Sequence, residues 1–486
     1  MSKKPSGGLL GGQYKPLSTE QIDQIHQAAL EILERIGFTY EDGLEETLVM
    51  LKDAGAELKR EAARIYFPRD LITEQIAKAP QRIVLCGRDR DHDVDLSGDR
   101  VYMGTGGMAI TIIDLETGLA RQSCLADVYN IARLVDQLDN IHFYLRPCTA
   151  HDVPNEFHDI QCMYAAMKGT SKHYMCGAQD IPTFRELLAL ATMVAGGEQK
   201  LRARPLFSMT SCFAISPLKL CTQSVLNLQE ACRAGVPVAL SSAPMAGSTS
   251  PMTMAGTLAQ LHAEELVGLT IGQLTQAGAP LLYGGIPGTA NMNSMGYQGG
   301  VVEFGMMNAA IHQLANHIQV PNYNSSGLTD AKTSDAQAGW EKAFSSLLAA
   351  MGGSNYIHHA AGMLESMLTV AYEQYIMDDE IIAMCSKVLE GIVVDEEHLA
   401  MDAIAAVGPG GNYMTAAHTF AHMRSEFQLG NGVSDRQDRD SWETQGSSDA
   451  LLRARKMAKD ILAAAPVSRL DSQTDKAIRD RFKFLI

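Results

Sequence analysis

The chain has 486 residues, 46% hydrophobic and 20% charged, with a net charge of −16 and a pI near 5.3. That length provides for a large core, one barrel-sized domain with additions. The acidic balance argues against a nucleic-acid binder, which needs a basic stripe to replace phosphate counterions, and suits a soluble cytoplasmic enzyme.

No stretch approaches the roughly 18 apolar residues of a membrane span, and residues 1–18 lack the apolar centre of a signal peptide. The nine scattered cysteines form no C-x-x-C pair, so neither a disulfide framework nor a structural zinc site is indicated. The 25 methionines read as adaptable core filler.

In chain order, residues 1–98 read as a mostly helical segment. Thr19 can cap a first helix that runs to about Ile36, just before Gly37. Residues 99–378 repeat one unit: a short β-rich run, small or polar residues, then an amphipathic helix. The runs begin near Val101, His142, Lys172, Pro205, Pro237, Pro280, Pro321 and Tyr356. Eight such units predict an α/β fold, a (β/α)8 TIM-type barrel. Residues 379–486 read as helical again, broken by Gly408-Pro409-Gly410-Gly411 and by the polar stretch 430–448. Both flanking segments are expected to pack on the barrel.

Several runs end alike, as in Gly104-Thr105-Gly106-Gly107, Ser241-Ser242-Ala243-Pro244, Gly284-Gly285-Ile286-Pro287 and Ser325-Ser326-Gly327. Any one of these is explained by βα turns. Together, at one end of a barrel, they leave room for a ligand.

Gly327-Leu328-Thr329-Asp330-Ala331-Lys332 resembles the signature loop of the trimethylamine methyltransferase family. The resemblance extends over most of the chain. It includes Ala79-Pro80-Gln81-Arg82, Cys86-Gly87-Arg88-Asp89, Ile215-Ser216-Pro217-Leu218, Ser248-Thr249-Ser250-Pro251, the run from Asp335 to Lys342, and Ala361-Gly362-Met363-Leu364-Glu365. It implies a TIM-type barrel that moves a methyl group from an amine to Co(I) of a corrinoid on a separate protein. The chain has no Asp-x-His-x-x-Gly run of the kind corrinoid carriers use. The cobalamin-type cofactor is therefore expected on a cognate corrinoid protein docked at the barrel mouth, with none bound tightly here.

The family's founding members have pyrrolysine, an electrophile, at the position matching Leu328. Leucine cannot form a cationic adduct with a neutral amine. A quaternary ammonium already carries its charge and leaves as a neutral tertiary amine, so the expected substrate is a betaine or carnitine-like compound. The alternatives are a homologous barrel using another methyl donor, with Leu328 a packing residue, and a non-catalytic betaine-binding protein.

Quaternary cations are bound by aromatic faces. Tyr102, Phe213, Tyr283, Tyr297, Tyr323 and Tyr356 are candidate walls, each of which could equally be core packing. For a substrate carboxylate, Arg146, Gln179, Asn291, Asn324 and Lys332 are eligible. Of His358 and His359 at the end of the eighth run, alternation along a strand predicts that only one faces the barrel, with His359 preferred as the catalytic candidate. Asp330 could place negative charge near the cation or cap the next helix, and Glu365 could do the former or pack at the rim. A homo-oligomer is expected. Cys148 and His151 lie close together but lack a third zinc ligand at useful spacing, so no catalytic metal is assigned.

Overall fold

The computed structural model describes residues 7–486; the first six residues of the stretch read above as lacking a signal peptide lie outside it. Eight parallel strands form the centre: β1 Arg100–Thr105, β2 Phe143–Leu145, β3 His173–Cys176, β4 Phe207–Ser211, β5 Val238–Leu240, β6 Leu281–Leu282, β7 Tyr323–Ser325 and β8 Tyr356–Ala361. They pair in the order β6-β5-β4-β3-β2-β1-β8-β7. A parallel bridge between Tyr283 and Asn322 closes β6 onto β7, with Tyr283 N donating to Pro321 O at 3.0 Å and Tyr323 N to Tyr283 O at 2.8 Å. All eight strands lie where the sequence places them. Pro205, Pro237, Pro280 and Pro321 each precede a strand, where a missing N–H costs no ladder bond.

Each strand is followed by a helix, from Leu125–Asp136 after β1 to Tyr372–Glu390 after β8. This last helix crosses residue 378, so the boundary drawn there from sequence falls inside it. The N-terminal segment holds the helices Thr19–Glu31, Glu45–Asp53 and Arg69–Ile76, and also short strands that the sequence did not announce. Its strands Phe38–Tyr40, Glu57–Lys59 and Arg64–Tyr66 form a sheet with Lys219–Leu220 and Ala214–Ile215, from the loop after β4. The hairpin of Ile83–Leu85 with Val94–Leu96 shares one apolar cluster with Tyr102, Phe143, Met175, Leu282 and Tyr356, and so plugs the N-terminal end of the barrel. The first helix, Thr19–Glu31, is capped by Ser18 rather than Thr19. Ser18 Oγ accepts from Gln21 N while Gln21 Oε1 accepts from Ser18 N, a reciprocal capping box. The helical path does run to Ile36, as a π-helical turn over Ile32–Ile36.

Two glycines are required by close backbone approach. A Cβ on Gly284 would sit 1.6 Å from Tyr323 O, at the β6–β7 closure. Gly327 has φ +78°, and a Cβ there would lie 2.7 Å from Ala360 Cα. No helix among the described residues is long and apolar enough to cross a membrane.

Candidate active site at the barrel mouth

The loop 327–332 leaves the C-terminal end of β7 and is held from all sides. Gly327 N donates to Ser345 Oγ at 3.0 Å, and Lys342 Nζ donates to Gly327 O and, at 3.2 Å, to Met363 O. Glu341 Oε2 accepts from Thr329 Oγ1 at 2.6 Å and from Asp330 N at 2.9 Å. Ser366 N and Glu365 N donate to Thr329 O and Ala331 O. Lys342 is fully buried and pairs with the equally buried Asp378 at 3.2 Å. Asp378 Oδ2 also accepts from Gly362 N at 2.7 Å, so one ion pair ties the β7 loop, the end of β8 and the last barrel helix together. A pair this dry holds only because its remaining hydrogen-bonding capacity is met. The resemblance motif that ends in Glu341-Lys342 thus has a structural task, anchoring the loop.

Leu328 is fully buried. It packs against Gly299, where an added Cβ would come within 2.8 Å of Leu328 Cδ1. Gly299 belongs to the segment after β6, whose strands Gly288–Ala290 and Tyr297–Gln298 fold over the mouth. Gly299 N donates to Asp330 Oδ1 at 3.1 Å, and Ser366 Oγ donates to the same oxygen, so Asp330 fastens this cover to the loop. Asp330 does not cap the following helix; Asp335 does, accepting from Ala338 N at 3.2 Å.

Beneath the cover, Tyr323 and His358 stack. His358 Nδ1 donates to Asn324 O at 2.9 Å, so its Nε2 accepts from the Tyr323 hydroxyl, 3.2 Å away, which in turn lies 3.2 Å from Ser241 Oγ. His359 does not face away from its neighbour. Its φ of +66° and a register shift in β8 turn its ring to the same side, 3.7 Å between centroids from His358, with Nδ1 2.7 Å from Ser325 Oγ. Alternation fails here because the left-handed residue breaks the pleat. Burial pushes His358 down to about 3 and His359 well below the usual imidazole range, so both are neutral at neutral pH. Tyr297 and Tyr323 are raised by burial and remain neutral phenols. The Tyr297 hydroxyl and Ser326 Oγ are buried with no partner among the described residues, an unusual surplus for a closed interior.

Other expected site residues lie elsewhere. Tyr102 is near the start of β1 and packs edge-on to His142 at the plugged end, against the segment at Gly7 and Gly8. Tyr356 opens β8 and stacks on Phe143 at 3.7 Å, in the barrel's filling rather than its mouth. Tyr283 points outward, its hydroxyl 2.7 Å from His262 Nδ1 on the helix Met254–Thr275. Phe213 packs on Gly268 of that helix. Asn324 alternates outward from Tyr323 and donates to Asn308 O at 3.1 Å. Period-two alternation decides Tyr283 and Asn324, since a residue at the right height can face the wrong side. Arg146 is at the mouth, but its guanidinium is engaged by Asp159 at 2.5 Å and lies 3.2 Å from His158 Nδ1. Gln179 donates to Asn155 O at 2.9 Å on the rim. Lys332 is exposed and reaches Asp330 O, Asn291 sits in a turn of the cover, and Glu365 is half-buried beside the loop.

Sequence reading missed Glu265. Fully buried on the helix after β5, it accepts from Ser242 N at 2.9 Å and Gly284 N at 3.3 Å, across the ends of β5 and β6. Burial pushes its carboxyl up to about 8. Adjacent glutamates in an otherwise apolar helix, Glu264-Glu265, were the available signal.

Around the mouth, loops following different strands expose large apolar side chains: Met108, Ile110, Met252, Met292, Met295 and Leu368. A cavity of about 620 Å3 lined by Arg185, Arg202 and Arg481 lies outside the barrel, among its helices, and is unrelated to this site.

Residues 10–483 match the family described as Trimethylamine methyltransferase (MTTB). The chain is 37% identical over 445 residues to the trimethylamine methyltransferase MttB of Desulfitobacterium hafniense, covering 92% of this chain and 88% of that protein. It is 31% identical to a glycine betaine methyltransferase of Desulfitobacterium hafniense, covering 97% of each. It is 30% identical to the trimethylamine methyltransferase MttB of Methanosarcina thermophila, covering 96% of each. The chain belongs to the trimethylamine methyltransferase family.

Proposed function

We propose that this protein transfers a methyl group from a quaternary amine of the betaine or carnitine class to the corrinoid of a separate carrier protein, in the cytoplasm. Leu328 carries the reading. At the centre of the anchored loop stands an inert side chain, fully buried against Gly299, so a substrate must bring its own positive charge. A quaternary nitrogen does so. Its C–N bond breaks with the electron pair going to nitrogen, a neutral tertiary amine leaves, and no proton moves. The 31% identical relative named for glycine betaine supports this class.

The chain's own residues bind and orient. Tyr323 and Tyr297 offer neutral aromatic faces to a methylated cation. The half-buried Asp330 stands near Tyr297 and adds negative charge. The partnerless hydroxyl of Tyr297 can donate to a substrate carboxylate. The neutral His358 and His359 keep positive charge out of the site. The reduced corrinoid supplies the nucleophile. His358 has both ring nitrogens engaged and His359 Nδ1 is bonded within the barrel, which suits positioning of the substrate rather than holding the cofactor. The methionine-rich rim suits an adaptable docking surface for that carrier, and the cover over the mouth would exclude water.

The test mixes the protein, its reduced corrinoid carrier and candidate amines, and follows corrinoid methylation spectroscopically. Methylation with a betaine-type compound and none with trimethylamine is expected. Methylation from trimethylamine but from no quaternary amine overturns the proposal, and binding without methylation would favour a non-catalytic betaine binder.

A further inference from the structure

The segment after the last barrel helix has little core of its own. Between residues 392 and 429 it forms three helices of seven residues or fewer, Glu396–Leu399, Met401–Val407 and Ala417–His422. It leaves Ile392, Val394, Met401, Met414, Phe420 and Phe427 largely exposed. Short helices without a packed face are marginal in water. Something beyond apolar burial must hold this segment in one conformation.

Within it, three potential metal ligands converge. Ligand atoms of His398, His422 and Glu426 all lie within 4.8 Å of one another. They come from two separate stretches, so their convergence is tertiary. His418, His422 and Glu426 recur at intervals of four, one turn apart. The His418 ring centroid lies 4.3 Å from that of His422, and the His398 centroid 5.3 Å from it. His398 Nδ1 is 2.7 Å from Asp395 Oδ1. A carboxylate on one ring nitrogen fixes the tautomer and aims the other nitrogen outward, the usual support for a metal-bound imidazole. Asp395 also caps the helix that carries His398, accepting from its backbone N–H at 2.8 Å, so the ring's position is fixed twice.

We propose that His398, His422 and Glu426 form a zinc site, with His418 or water as the fourth ligand. Two or three imidazoles with one carboxylate suit Zn2+, at about 2.0–2.2 Å per bond and ligand atoms about 3.4 Å apart. The two histidines are half-buried and Glu426 is exposed. The chain's net charge of −16 favours a cation. The site is structural: Arg424, Ser425 and Phe427, next to Glu426, line one cavity with Asp139 and Asn140, which precede β2 at the end of the barrel opposite the mouth. A bound ion would tie residues 395–398 to residues 418–426. The sequence reading, which looked for cysteine pairs, assigned no metal here.

The test uses the full chain after chelator treatment, titrated with Zn2+ alone by calorimetry, beside the double variant His398→Ala/His422→Ala and the single variant Glu426→Gln. The wild type is expected to take up one equivalent more than the double variant. Glu426→Gln and Asp395→Asn should each weaken that equivalent, Asp395→Asn by about 10- to 100-fold. Zinc should also slow proteolytic cleavage between residues 392 and 429 in the wild type and not in the double variant. Equal uptake by wild type and variants, or no uptake, overturns the proposal. If the double variant fails to fold, Glu426→Gln alone decides, and unchanged zinc affinity in it overturns the site.

Discussion

The rings of Tyr323 and His358 lie parallel, 6° between planes and 4.6 Å between centroids, and the tyrosine hydroxyl donates to the imidazole. The pair joins β7 to β8 inside the barrel, where Tyr323 also shares the apolar cluster of Tyr356 and Phe143. Tyr323→Phe keeps the stacked face and removes the donor, worth about 0.5–1.5 kcal/mol. Methyl-transfer kinetics should show an increase in KM of about 2- to 10-fold with a smaller change in kcat.

Tyr297→Phe separates binding from folding. The hydroxyl is buried without a partner, so its removal should leave the melting temperature of the free protein unchanged or raise it. Substrate binding by calorimetry should weaken if the hydroxyl meets the substrate. An unchanged dissociation constant would remove Tyr297 from the site.

Leu328→Ala opens a cavity against Gly299 and should destabilise the protein by about 2–5 kcal/mol in urea unfolding. It should not confer methyl transfer from trimethylamine, because no electrophile is introduced.

Lys342→Ala leaves Asp378 buried and uncompensated, and should cost about 3–5 kcal/mol. Replacing both, Lys342→Met with Asp378→Leu, should recover much of that stability. Activity should not recover equally, since the lysine also holds Gly327 O and Met363 O. Denaturation beside initial rates distinguishes the two effects.

Acid should destabilise the fold through buried histidines. Burial pushes His142 and His358 down to about 3 and His173 to about 4. The unfolded chain binds protons below about 6.5 that the native state refuses. Stability is therefore full above that pH and falls on acidification toward 3, by about 1.4 kcal/mol per pH unit for each histidine. Glu265 acts oppositely. With its carboxyl pushed up to about 8, its contribution is present below about 4.5 and is lost as pH rises toward 8. Glu265→Gln should flatten the urea-unfolding free energy between pH 5 and 8, and leave the acid limb in place.

Sequence alone determined the barrel. Each strand has a short apolar run, a proline or polar start, and a helix-length partner, and those are local properties. The loop 327–332 was equally legible, since Gly327 and the polar residues around Leu328 mark a turn at a strand end. The N-terminal strands were not, because they are three residues long and pair with residues 214–220, far away in the chain. The site residues were legible only in part: Tyr102 and Tyr356 lie too near the strand starts, and others miss by direction. Tyr283 and Asn324 sit at the right level and face outward, while Tyr323 faces in.

Only the tertiary structure decided that His358 and His359 point the same way, because one left-handed residue at a bulge overrides alternation. Only it placed Lys342 and Asp378, 36 positions apart in sequence, in one dry contact beneath the loop. Burial, which sets those charges and the neutrality of the histidines, is created by the packing of distant segments and has no local signature.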